Sequence, residues 1–133
     1  MEDMSAAIDY AHDLNSKEVI LLGSSYSASL ALIEGLNHPK VRAVIAFSPG
    51  EYFGKDLRLE DSLKTCSKPL FVAVTKREQP YVKQMFTEFS EDDYTLFRPD
   101  TLGVHGARAL RDDNPSKDEY WLALLMFINN LNK

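Results

Sequence analysis

The chain has 133 residues, 44% of them hydrophobic and 26% charged, which suits one globular domain with a packed core. A net charge of −5 with no Lys/Arg cluster argues against nucleic acid as a partner. No apolar run approaches the roughly 20 residues needed to cross a bilayer, so no membrane partner is expected.

Met1-Glu2-Asp3-Met4 is acidic and lacks the basic-then-apolar order of a signal peptide, which favours a cytoplasmic protein. Residues 4–15 read as a helix. Ala7, Tyr10, Ala11 and Leu14 fall at i, i+3, i+4, i+7 on one face, and Asp3 is the expected cap. Residues 18–22 form a short branched run closed by Gly23, the pattern of a buried parallel strand. Residues 27–36 are small and apolar and read as a helix stopped by Asn37-His38-Pro39. Residues 41–47 are the second strand, ended by Ser48-Pro49-Gly50.

A short helix is predicted over 59–66. It ends on Cys66, the single cysteine, which cannot form an internal disulfide and reads as a small packed residue in a reducing compartment. Residues 70–75 give a third strand. Pro80 starts a helix with an apolar stripe of Val82, Met85, Phe86 and Phe89. Residues 94–98 are a shorter, more polar strand, as suits a sheet edge. Ser116-Lys117-Asp118-Glu119 has capping-box spacing and opens a last helix with Tyr120, Leu124, Phe127, Ile128 and Leu131 on its buried face. Strand and helix alternate, so the expected fold is a three-layer α/β/α arrangement: a mostly parallel sheet of about four strands with helices on both faces. Working sites in such sheets lie beyond the C-terminal strand ends.

Gly23-Ser24-Ser25-Tyr26-Ser27 sits at one of those ends. A nucleophile elbow, G-x-S-x-G, needs a tight strand-to-helix turn that lifts the serine Oγ clear of the sheet. Here Ser27 stands where the second glycine belongs. Ser25 is the candidate nucleophile, and the Tyr26 N–H, at the helix N-terminus, is one candidate oxyanion donor. A serine needs a base. His12 lies on the polar side of the first helix and His38 in a turn. His105, between Gly103 and Gly106 after the last strand, is the candidate base. The acid that orients it should follow the third strand, where Glu78 is the only carboxylate. Lys76 and Arg77 beside it leave open that Glu78 is a solvated loop charge, with Asp100 as the fallback acid. Asp112 and Asp113 read as a solvated run. No metal or cofactor is expected.

These residues, with Ala46-Phe47-Ser48-Pro49, Lys68-Pro69-Leu70-Phe71-Val72, Val104-His105-Gly106 and the helix carrying Tyr120-Trp121 and Phe127, resemble the α/β-hydrolase superfamily and most of all its dienelactone-hydrolase-like branch. The resemblance spans essentially the whole chain. It implies a truncated, C-terminal half of that fold, lacking the first four strands and the second oxyanion donor they normally carry. The implied activity is hydrolysis of a small ester, lactone or thioester through an acyl-serine, with slow turnover. The other reading is a catalytically inactive or incomplete module of the same fold that acts by association. Either way the 18–22 strand would have one unpaired edge, so a homodimer or a partner chain is expected there.

Overall fold

The computed structural model describes residues 1–64, 67–90 and 92–133. Thr65, Cys66 and Glu91 lie outside the described residues, and with them the end of the predicted 59–66 helix and the packing expected of Cys66. The chain alternates as α1 (Glu2–Asn15), β1 (Val19–Ser24), α2 (Tyr26–Gly35), β2 (Val41–Phe47), α3 (Leu59–Leu63), β3 (Leu70–Ala73), α4 (Gln79–Met85), β4 (Thr95–Phe97) and α5 (Lys117–Leu131). A 3₁₀ turn over Gly106–Leu110, not foreseen in the sequence, precedes α5.

The four strands form one parallel sheet in the order β1-β2-β3-β4. β2 is buried on both faces, which is why it reads as an unbroken apolar run. Its side chains alternate between two cores. Val41, Val44 and Ala46 pack with Ile8 of α1, Ala28, Ala31 and Leu32 of α2, Leu59 and Leu63 of α3 and Val82 of α4. Ala43, Ile45 and Phe47 pack with Tyr120, Leu124, Phe127 and Leu131 of α5. The molecule is therefore an α/β/α sandwich, with α5 and the 3₁₀ turn sharing one side of the sheet.

Two helix details differ from expectation. In α1 the buried residue is Ile8, supported by Met4, while Tyr10 and Leu14 are exposed. The helix also starts at Glu2, so Asp3 lies in its first turn rather than capping it, and no side chain caps that end. In α5, Ser116 makes no capping bond. Its hydroxyl pairs with Thr101 Oγ1, and Glu119 accepts from the Asp100 N–H at 3.3 Å instead of reaching back to the cap. The loop after β4 has taken both partners of the predicted box.

β1 is a sheet edge. Val19 and Leu21 pack into the first core, which by alternation puts Ile20 and Leu22 on the α5 face. The larger α5 residues cover β2 and β3 there, and both side chains stay exposed, at 40% and 47%.

Candidate active site

The strand register aligns Ser24, Phe47, Ala73 and Phe97 across the sheet. All four strands thus end at one level. Ser25 and Ser48 follow directly, Glu78 comes five residues after β3, and His105 lies in the loop after β4.

Ser25 occupies a sharp turn with φ 55° and ψ −119°. A non-glycine residue there is strained, and such strain persists only where the surroundings enforce it. Three contacts do so. The Ser25 N–H donates to Phe47 O at 2.8 Å. Ser27 Oγ accepts from the Ser24 N–H and donates to Ser24 O, both at 2.9 Å. Strand and helix also approach so closely at Gly23 that a Cβ would sit 2.2 Å from Ser27 O. The serine in place of the motif's second glycine therefore clips the turn closed with its hydroxyl.

Ser25 Oγ lies 2.9 Å from His105 Nε2. His105 Nδ1 meets Glu78 Oε1. The other carboxylate oxygen, Oε2, accepts from the Thr75 N–H at 2.9 Å and from Ser48 Oγ at 2.8 Å. Lys76 and Arg77 are exposed, whereas Glu78 is drawn inward by partners at the ends of the adjacent strands β2 and β3. Asp100 is exposed, its N–H bonded to Glu119, and among the described residues it makes no hydrogen bond to His105. His38 accepts from the Lys40 N–H in its turn at 3.2 Å, and His12 meets Asp13 at 3.4 Å, both away from Ser25.

Burial, the largest influence on Glu78, would raise its pKa. Hydrogen bonds from His105, the Thr75 N–H and Ser48 outweigh it and hold the carboxyl below its ordinary value of 4.5. Such a carboxylate stabilises the fold above its unfolded pKa, and that contribution is lost as pH falls through the folded value. Glu78→Gln is therefore expected to lower stability at neutral pH, with the gap to wild type shrinking below pH 4.5. Thermal unfolding of both proteins as a function of pH checks this. A gap independent of pH would contradict it.

Sequence reasoning passed over Ser48. It is buried, at φ 54°, and its Oγ also accepts from the Gly106 N–H at 2.8 Å. One hydroxyl thus ties the Glu78 carboxylate to the loop that carries His105. Ser24 Oγ anchors the same loop by accepting from the Ala107 N–H at 2.9 Å. Gly106, at φ 71°, has no room for a Cβ, which would meet Ser24 Oγ at 2.7 Å. In the sequence Ser48-Pro49 reads as a strand stop and as part of the resemblance, with no role for the Ser48 hydroxyl.

Tyr26 begins α2, where a backbone N–H has no partner within the helix. The site is open: the His105 side chain is 55% exposed. A shallow hollow of about 160 Å³ runs from Tyr52 and Tyr81 to Glu78 and His105, and another of about 350 Å³ lies beyond His105 against Leu102 and Gly103. A larger one, about 620 Å³, lies at the far end of the sheet between Lys68 and Thr95, remote from the serine. Among the described residues no group of three His, Cys, Asp or Glu could hold a metal ion, and no helix is long and apolar enough to cross a membrane.

A parallel α/β/α sheet with a strained serine at a strand end is the class of protein that fold and site define. Solved structures with this fold resemble the chain. The esterase Pf2001 of Pyrococcus furiosus superposes with a TM-score of 0.73 at 15% identity, over 96% of this chain and 60% of that one. The esterase domain of a Rhodothermus marinus protein gives 0.72 at 16% identity, over 98% and 67%. The chain thus spans about three fifths of the Pyrococcus esterase. No protein-family profile and no curated protein sequence matches it.

Proposed function

We propose that the chain is a serine hydrolase of the α/β-hydrolase, dienelactone-hydrolase-like kind, acting on a small ester, lactone or thioester. One observation carries this reading: a serine on a strained strand-to-helix turn, 2.9 Å from an imidazole whose other nitrogen is held by a carboxylate. Glu78, ionised, can only accept, so His105 Nδ1 carries the proton and Nε2 is the base. Ser25 Oγ adds to the substrate carbonyl as its proton passes to Nε2. The carbonyl electron pair moves onto oxygen, facing the Tyr26 N–H. When the adduct collapses, the C–O or C–S bond to the leaving group breaks and His105 returns the proton to it. Water then repeats the sequence on the acyl-serine. The esterase neighbours support the fold this mechanism needs. Labelling with a fluorophosphonate probe tests the reading. Wild type is expected to label and Ser25→Ala is not. Folded protein that does not label supports the alternative, a non-catalytic module, which the open site and bare strand edge favour.

We further propose that a second copy of the chain covers the β1 edge. Val19–Leu22 is apolar with only Glu18 to guard it, and Ile20 and Leu22 are exposed beside the bare edge. Antiparallel pairing about a two-fold axis would continue the sheet and set each Glu18 against apolar residues rather than the other Glu18. Sedimentation at low micromolar concentration is expected to show a dimer. A monomer at every concentration contradicts it.

A further inference from the structure

We infer that Tyr52 is the second oxyanion donor of this site. The inference rests on the hydrolase reading above and adds to it a side-chain donor beside the Tyr26 N–H. Tyr52 OH lies 3.3 Å from Ser25 Oγ. The direction of that bond follows from the rest of the site. Glu78 accepts from His105 Nδ1, so Nε2 accepts from the Ser25 hydroxyl, and the Tyr52 hydroxyl is the donor to Ser25 Oγ. A donor is therefore already aimed at the oxygen from which the new bond forms. On addition the Oγ lone pair becomes the bond to the carbonyl carbon, and negative charge appears on the oxygen attached to that carbon, one bond further on. A small swing of the phenol moves its hydrogen from Oγ to that oxygen. No proton is transferred to or from Tyr52; it donates one hydrogen bond that strengthens as charge develops.

A catalytic donor must be held in place, and Tyr52 is held. Ser29 Oγ, fully buried, donates to Gly50 O at 2.7 Å and accepts from the Gly50 N–H at 2.9 Å. The Glu51 N–H donates to Tyr81 OH at 3.0 Å, and the Glu51 carboxylate accepts from the Leu59 and Glu60 N–H groups of α3. The chain on the N-terminal side of Tyr52 is thus fixed to α2, α3 and α4. Its ring lies against Gly50, where even a Cβ would come within 3.1 Å of it, and leans on Tyr26 at 5.7 Å between centroids. Tyr26 in turn meets Phe53 edge-on at 5.1 Å. Tyr52 lines the same small hollow as Tyr81, Glu78 and His105.

Tyr52→Phe tests this, because it removes the hydroxyl and keeps the ring packing. Removing one oxyanion donor costs on the order of 10²–10³ in turnover in a water-excluded site. In this open one, kcat for 4-nitrophenyl acetate is expected to fall roughly 10- to 100-fold, with KM changing less than about threefold. Phenylboronic acid, which adds to a serine as a tetrahedral anion, is expected to bind Tyr52→Phe at least about tenfold more weakly than wild type. Unchanged kcat and boronate affinity in Tyr52→Phe, with Ser25 of wild type still labelled by fluorophosphonate, overturns the assignment of Tyr52 and leaves the hydrolase reading standing. Wild-type protein that neither labels nor turns over overturns both.

Discussion

Ser25→Ala and His105→Ala are each expected to lower ester turnover to the same floor, by on the order of 10⁴-fold or more, and the double variant no further. In the proposed hydrolysis the two groups act as one unit: the hydroxyl is a poor nucleophile unless Nε2, 2.9 Å away, takes its proton. Removing either ends the same step, so the losses do not add. In that proposal, what remains comes from the donors to the carbonyl oxygen, the Tyr26 N–H and Tyr52. Glu78→Gln should fall less far, because the amide oxygen can still accept from Nδ1 while the charge that favours the imidazolium is gone. Steady-state hydrolysis of 4-nitrophenyl acetate by the three single variants and the double variant checks this. Additive losses, or a Ser25→Ala variant that keeps its rate, would show that the hydrolysis belongs to other groups.

The strands were legible because each is a short apolar run ended by a turn residue, and parallel strands buried on both faces leave that mark. β2 was placed to the residue. β1 runs to Ser24, because pairing with Phe47 continues past the glycine. Helix faces were less legible. In α1 the spacing Ala7, Tyr10, Ala11, Leu14 competes with Met4, Ile8, Ala11, and only the sheet decides which stripe turns inward. It chooses Ile8 because that side chain fills the core beside Leu32 and Val41.

The site was legible in part for the same kind of reason. Glycines flag places where backbones must approach, and Gly23 and Gly106 bracket Ser25 and His105. Glu78, sitting beside two cations, could not be told from a surface charge, since what draws it inward is a backbone N–H and a serine from another strand. Tyr52 carries no local signal, and Ser48 none beyond its place in the strand-ending Ser48-Pro49 run. Each matters through distant groups: Ser48 through Glu78 and Gly106, 30 and 58 positions away, and Tyr52 through Ser25, 27 positions away, which meet because the strand ends share one level.

Gly23→Ala is expected to be the most damaging substitution to the fold. A Cβ at this position would lie 2.2 Å from Ser27 O and 2.7 Å from the Ala28 Cα, both backbone atoms that no side-chain rotation can remove. Helix α2 would have to move off β1, taking with it the Ser27 clip and the turn that holds Ser25 at φ 55°. Overpacking of this kind costs about 3 kcal/mol or more where backbone must shift. For a chain of this size that lowers Tm by roughly 10 °C. Gly54→Ala is the control. Gly54 has a positive φ, 76°, unlike Gly23, but nothing lies within 4 Å of an added Cβ, so only the conformational penalty of about 1 kcal/mol applies. Thermal unfolding separates the two. Fluorophosphonate labelling well below both transitions then reads the elbow itself: Gly54→Ala should label like wild type, and Gly23→Ala should label slowly even while folded, because the strained turn exists only when the helix sits this close to the strand. Equal Tm values for the two variants would mean that α2 yields without cost, and that the closeness of strand and helix is not what holds Ser25 in its turn.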